Sequence, residues 1–221
     1  MVSVEDLMAS LARERPVFHS EADFQHALAW HWQQRSPEAV VRLEYRLPLP
    51  GERAYADLWV REGGETVCVE LKYWTRSLNV QVGDEAFTLA DQAAQDLGRY
   101  DFIKDVGRVE RLVDAGHATR GHVVALTNDQ GYWNQPRLGT VDAAFRLHEG
   151  RTLGGELAWA DHAGIGTTAT RQRVLRLAQE YQCHWQPYAD LGVRGGEFRF
   201  LDIAVDREVT GWPTTEDGPH D

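Results

Sequence analysis

The amino-acid sequence predicts an α/β fold in which a mixed central sheet is flanked by helices and extended by a mostly β C-terminal region. Residues 56–74 contain two runs of β-branched and aromatic residues around Gly63-Gly64, the pattern of a β-hairpin. Residues 122–129 form an almost continuous apolar run, which is typical of a buried central strand. Residues 88–113 have helical spacing, so a helix is expected to cross over from the hairpin to the buried strand.

Two helices and a strand are expected before the hairpin. Residues 4–15 carry apolar residues at helical spacing, and Pro16 disfavours helix in the residue before it. A second helix begins after Ser20, a favourable N-cap, and continues with apolar residues at every fourth position. Residues 40–49 alternate between apolar and polar, which predicts a strand paired antiparallel with the first hairpin strand.

The C-terminal third gives weaker signals. Residues 174–188 fit either a helix or strands, and we favour a strand pair because residues 197–205 form a clear strand that needs a partner. The predicted organisation is a core over residues 1–130, a mostly β extension packed on it over 131–206, and a flexible acidic tail over 207–221. The extension could recognise substrate or form a dimer, and both alternatives stay open.

The polar side chains of the hairpin point to its chemistry. Because side chains alternate along strands, Asp57, Glu70 and Lys72 are expected opposite the apolar face of the hairpin. Buried charges are costly unless they are paired or bind an ion, and Mg²⁺ is usually held by one or two carboxylates. A neighbouring lysine can orient a water or stabilise charge on a phosphate. Alternatively, Glu70 and Lys72 form a charge ladder on a solvent-facing edge strand.

In this order, Asp57, a hairpin and then Glu70-Leu71-Lys72 resemble the PD-(D/E)XK nuclease superfamily, which has the restriction-endonuclease-like fold. The resemblance covers roughly the first half of the chain, and Ala56 stands where the family name has Pro. It implies a metal-dependent nuclease that hydrolyses phosphodiester bonds, with DNA favoured over RNA. Asp57, Glu70 and the backbone carbonyl of Leu71 would hold Mg²⁺ or Mn²⁺, and Lys72 would position the attacking water. Glu21, on the preceding helix, matches the further acidic residue of the family.

Five residues are expected to contact the substrate. Gln25 lies one turn beyond Glu21 on the same helix face and could contact the backbone of bound nucleic acid. The resemblance implies a glutamine on the helix after the Glu-x-Lys strand, for which Gln92 and Gln95 are candidates. Arg99 on the same helix suits a phosphate, although a solvated polar face explains these three equally. Trp74 could stack a base or pack the edge of the sheet.

The charge of the chain argues against a generic nucleic-acid binder. Its 221 residues include 23 Lys and Arg against 34 Asp and Glu, a formal net charge of −11. Since phosphate contacts dominate nucleic-acid affinity, weak nonspecific binding that depends on metal or on a partner is expected. The alternative function is a non-catalytic binding or scaffolding subunit of a defence or DNA-processing complex. A third interpretation is a small α/β protein whose polar hairpin face is merely solvated.

Partner and compartment follow from what the sequence lacks. No apolar run has the length of a membrane span, and no basic-then-apolar signal opens the chain, so a cytoplasmic protein without a membrane partner is expected. Cys68 and Cys183 provide neither a disulfide framework nor a zinc spacing, and both are expected as reduced core residues. A homodimer or a partner protein remains open.

Overall fold

A computed structural model describes residues 2–49, 51–137, 139–171 and 174–207. Within these ranges the chain is α/β, with a six-stranded mixed sheet in the order β1-β2-β3-β6-β10-β9 and helices on both faces. From residue 208 onward the predicted acidic tail lies outside the described residues. The elements are α1 (Val4–Glu14), α2 (Glu21–Arg35), β1 (Val40–Arg46), β2 (Tyr55–Glu62), β3 (Glu65–Trp74), β4 (Leu78–Val82), β5 (Glu85–Leu89), α3 (Gln95–Asp114), β6 (Arg120–Thr127), a 3₁₀ turn (Ala143–Phe145), β7 (Thr152–Leu157), α4 (Ile165–Thr168), β8 (Leu175–Gln182), β9 (Trp185–Asp190) and β10 (Glu197–Asp206).

The predicted hairpin and crossover are confirmed. Strands β2 and β3 pair antiparallel, and β1 pairs antiparallel with β2. Helix α3 then returns the chain so that β3 and β6 run parallel, with Val69 opposite His122. Strand β6 also pairs antiparallel with β10, so the predicted buried strand lies inside the sheet between two partners.

The predicted start of α3 is wrong. Thr88 and Leu89 do not cap a helix but lie in β5, which pairs with β4 through a two-residue Gly83-Asp84 turn. Phe87 and Leu89 are buried, so packing of this hairpin on the core outweighs a short capping-box pattern. The helix instead begins at Gln95, after Ala94 in a left-handed conformation with φ of 66°.

The C-terminal strands have different partners from one another. Residues 174–188 do form two strands, as expected, but β8 pairs with β7 whereas β9 pairs with β10. Because β10 also pairs with β6, the last two strands belong to the same sheet as the hairpin. The division of the chain at residue 130 stays a prediction.

Two apolar layers hold the sheet between its helices. On one face α1, α2 and the β4–β5 hairpin cover Leu58, Val69 and Leu71. On the other face α3 and the paired strands β7 and β8 cover Cys68 and Val123. Among the described helices, none is both long and apolar enough to cross a membrane. The site described below lies where the hairpin strands meet α2 and α3.

Helix α3 lies close to the sheet at Gly121 of β6, where a methyl group would overlap the Val109 side chain. We expect Gly121→Ala to destabilise the protein by about 1–3 kcal/mol, because the helix cannot retreat without opening the core. Gly166→Ala is the matched control, since a methyl group there would meet no atom of another segment within 4 Å and the φ of Gly166 lies outside the left-handed region. Urea unfolding of both variants tests this, and equal midpoints would contradict the close approach.

Candidate active site

The site lies at a fork between β2 and β3. The antiparallel ladder of these strands ends at the pair Leu58–Val69. Beyond it, β2 stays paired with β1 and β3 stays paired with β6, so the two hairpin strands part. Asp57 and Glu70 are the first residues past this last pair. Backbone N–H groups of β3 that would have bonded to β2 therefore need other acceptors.

Two carboxylates provide those acceptors. Asp57 Oδ2 accepts a hydrogen bond of 2.6 Å from the backbone N–H of Leu71, and Glu21 Oε2 accepts one of 2.8 Å from that of Tyr73. Glu21 is in the first turn of α2, whose Ser20 cap is formed by a hydrogen bond from the Asp23 N–H. The structure thus brings Glu21 and Asp57, predicted from separate parts of the chain, to the same fork.

Gln25 links the fork to β1. Its Nε2 donates to the backbone oxygen of Asp57 and to Oε1 of Glu44, both at 2.9 Å. Glu44 has a φ of 48°, in the left-handed region that is unfavourable for a residue with a side chain, and the β1–β2 pairing skips Glu44 and Asp57. Such local strain and broken pairing are concentrated at functional sites. Sequence reasoning missed Glu44, because a backbone conformation leaves no mark on an alternating strand pattern.

The other polar hairpin residues are held by α3. Lys72 Nζ lies 2.9 Å from Oδ2 of Asp105, and Glu70 Oε1 lies 2.9 Å from Nη2 of Arg108. Asp105 and Arg108 also pair with each other at 2.8 Å. The four side chains form an alternating row of charges between the strand and the helix, which we call the β3–α3 clasp. Glu70 is almost fully buried at 3% exposure, whereas Lys72 keeps 21%.

Sequence reasoning also missed Asp105 and Arg108. A signal was present, because Asp105 falls at the helical spacing of the buried residues Phe102, Val109 and Leu112. A carboxylate inside such an apolar stripe needs a partner of opposite charge. The strand facing α3 carries that partner, Lys72.

Burial and like charges perturb the acidic groups of the fork. Burial raises the pKa of Asp57 from 3.8 to about 6, with Glu21 and Glu44 adding to the rise and the hydrogen bond from Leu71 opposing it. Burial also raises the pKa of Glu70 well above its usual range, although Arg108 opposes this. Burial lowers the pKa of Lys72, but the charge of Asp105 outweighs it and the net shift is upward. Lys72 is therefore held as a cation beside carboxylates that are costly to ionise.

The donor set at the fork fits a hard divalent cation. Among the described residues, no group of three or more His, Cys, Asp or Glu side chains is placed to hold a metal ion. Mg²⁺ does not need such a cage, since one or two carboxylates with waters and substrate oxygens complete its coordination. Asp57 and Glu70 supply two carboxylates whose ionisation is unfavourable without a cation. The backbone carbonyl of Leu71, the residue between Glu70 and Lys72, is a third candidate oxygen donor. Oxygen donors of this kind suit Mg²⁺ or Mn²⁺.

The raised pKa of Asp57 has a consequence for stability. Between pH 4 and 6 the folded state holds a proton on Asp57 that the unfolded state has lost, so this group lowers the stability as the pH rises through that range. We expect Asp57→Asn, which keeps an oxygen for the Leu71 N–H, to gain about 2 kcal/mol relative to the native chain over this range, after allowing for partial exposure. Denaturant unfolding with a chelator present measures the difference, and a constant difference across pH would contradict it.

The remaining predicted substrate residues lie at the other end of α3. Gln95 begins the helix, about 15 Å along its axis from Asp105. Its side chain donates to Asp129, and exposed Gln92 lines the same cavity of about 660 Å³. Arg99 also lines it but is only 2% exposed and is paired with Asp142. The structure does not bring these three residues to the fork, and their contact with substrate stays a prediction.

The Trp74 side chain packs inside the protein rather than on its surface. It is buried and stacks on Tyr132 with 4.1 Å between ring centroids. The structure thus gathers Glu21, Gln25, Asp57, Glu70 and Lys72 and leaves Trp74 in the core.

Comparison of the chain with protein-family models, curated proteins and solved structures found no match in any of the three.

Proposed function

We propose that this protein is a metal-dependent nuclease of the PD-(D/E)XK type, with a restriction-endonuclease-like core that hydrolyses phosphodiester bonds in DNA. The observation that carries the proposal is the fork, where two carboxylates from different strands, a charged lysine and a helix-borne glutamate converge. The order of helix, three antiparallel strands, crossover helix and parallel strand supports it. Half-buried Asp57 and buried Glu70, whose pKa values are raised mainly by burial, support the metal dependence, because a bound cation would stabilise their ionised forms.

Each residue would have a distinct role. Asp57, Glu70 and the Leu71 carbonyl would hold Mg²⁺ or Mn²⁺, which when bound supplies Lewis-acid stabilisation of phosphate charge and a more acidic water. Lys72, kept protonated by Asp105, would orient the attacking water and stabilise charge on the phosphate. Glu21 would hold β3 in place through the Tyr73 N–H, so that the fork keeps its shape.

The direct experiment is incubation of the purified chain with single- and double-stranded DNA and RNA across Mg²⁺, Mn²⁺ and Ca²⁺. We expect cleavage of DNA with Mg²⁺ or Mn²⁺ and none in chelator. Asp57→Asn is the matched inactive control, because it retains the acceptor for the Leu71 N–H. Cleavage that persists in this variant would place the activity elsewhere or in a contaminant.

A non-catalytic binding subunit is the second candidate. It is favoured by the clasp, since Arg108 and Asp105 already satisfy Glu70 and Lys72, and by the net charge of −11. A purely structural clasp would need no metal. Calorimetric titration of Mn²⁺ into the native chain and into Asp57→Asn separates the two functions, because binding that is lost in the variant supports the nuclease and absent binding supports the subunit.

A further inference from the structure

The guanidinium group of Arg108 contacts Glu70, one of the two carboxylates proposed to hold the metal ion. Arg108 Nη2 lies 2.9 Å from Glu70 Oε1, and its Nε is 3.3 Å from the same oxygen. The Arg108 side chain is 15% exposed and Glu70 is 3% exposed, so solvent screens their interaction little. A permanent positive charge therefore contacts the carboxylate that the proposed function assigns to metal.

The charge on Glu70 is already balanced by Arg108, so a metal ion would be a second cation at this carboxylate. Three carboxylates, Asp57, Glu70 and Asp105, face two cations, Lys72 and Arg108. Lys72 is committed to Asp105, so among the described residues Arg108 is the cation in contact with Glu70. Two cations held at one carboxylate oxygen repel each other strongly in such a poorly hydrated place.

The Arg108 side chain has an alternative partner and adjacent space if it leaves Glu70. Asp105, three residues earlier on α3, already accepts from Arg108 Nη2 at 2.8 Å and would remain its partner after Glu70 is released. On its other side Arg108 lines a cavity of about 970 Å³ between α3 and β8. The side chain can therefore turn away from the strand without becoming an unpaired buried charge.

We propose that Arg108 competes with a divalent metal ion for Glu70, so that the Glu70–Arg108 pair sets the metal affinity of the fork. The proposal rests on the proposed function, since it takes Glu70 as a metal ligand. Arg108 is here a positioning residue that holds Glu70 in the absence of metal. A role limited to packing α3 on β3 would predict the opposite outcome, because its loss would loosen the site and weaken metal binding.

Calorimetric titration of Mn²⁺ at one fixed alkaline pH tests the proposal on the full chain. We expect Arg108→Gln to bind Mn²⁺ about tenfold or more tightly than the native chain, which corresponds to loss of one nearby repulsive charge. Arg111→Gln is the matched control, because Arg111 lies on the same helix but pairs with exposed Glu52. Its affinity should stay within about twofold of native, as expected for a solvent-screened charge. Asp57→Asn identifies which of the measured binding belongs to the fork.

The outcomes are distinct. Tighter binding in Arg108→Gln than in the native chain, lost when Asp57→Asn is added, supports the proposal. Equal or weaker binding in Arg108→Gln overturns it while leaving the proposed function intact. Absence of Asp57-dependent binding in every variant overturns both.

A measurement on the unaltered chain covers the case in which Arg108→Gln does not fold. The side-chain Nε–H of Arg108 donates to Glu70 at 3.3 Å, so its nitrogen-15 NMR signal is expected to be protected from exchange with water. Addition of Mg²⁺ should shift that signal and speed its exchange with water, whereas the Nε–H signal of Arg99 should not change. An Arg108 signal that is unaffected at saturating Mg²⁺ would overturn the proposal.

Discussion

Replacement of Lys72 by alanine is expected to abolish DNA cleavage while leaving metal binding largely intact. In the proposed function the positive charge of Lys72 orients the attacking water and stabilises charge on the phosphate. Loss of one group with such a role costs about 10³-fold in rate. The fold should survive, because Asp105 keeps Arg108 as its partner after Lys72 is removed. Single-turnover cleavage assays measure the rate, and calorimetry with Mn²⁺ measures the binding.

Asp57→Ala is expected to remove both properties, which distinguishes a metal ligand from a group that acts on the water. Lys104→Ala is the matched lysine control, since Lys104 is exposed on α3 beside Asp105 and makes no contact in the clasp. Its cleavage rate should remain close to that of the native chain. Retained cleavage in both Lys72→Ala and Asp57→Ala would refute the assignment of the fork as the catalytic site.

The second large effect concerns stability. Arg99, predicted to contact phosphate, is a buried residue with two contacts of 2.8 Å, to Asp142 and to the backbone oxygen of Gly131. Its guanidinium lies over the ring of Tyr132. Arg99→Met should therefore destabilise the protein by about 3–5 kcal/mol, since it leaves a buried carboxylate with reduced compensation. For a chain of this size the melting temperature should fall by roughly 10 °C.

Arg76→Met is the control for this prediction. Arg76 lines the same cavity but is half exposed, and its nearest carboxylate oxygens lie 3.7 and 3.8 Å away. Its loss should cost less than about 1 kcal/mol. A stable Arg99→Met variant with weakened DNA binding would instead support Arg99 as a substrate contact.

The hairpin and the parallel strand were predictable because their residues repeat with the periods of the elements they form. Val67, Val69 and Leu71 alternate, and the apolar run of β6 is long enough to identify a buried strand. Asp57, Glu70 and Lys72 stand out against that background because charges are rare on an apolar hairpin. Glu21 needed the resemblance, since its position in a first turn also has an ordinary explanation in the helix dipole.

The remaining features depend on contacts between distant segments. The start of α3 could not be placed because the Thr88 capping pattern competes with packing of Phe87 and Leu89, and only the folded core decides between them. The clasp requires knowing that Asp105 lies above Lys72, which depends on how α3 is set against the sheet. An arginine such as Arg99 suits a phosphate contact, and the sequence does not show that it is buried and paired with Asp142.

The fork also changes how the backbone of β3 is shielded from water. The amides of Leu71 and Tyr73 bond to carboxylates of Asp57 and Glu21 rather than to a neighbouring strand. Their hydrogen–deuterium exchange therefore reports on two side chains instead of on the sheet. A ligand that draws either carboxylate away is expected to expose the amide bonded to it. Exchange at these two amides would then report whether the fork is occupied, while the amides paired with β2 and β6 stay protected.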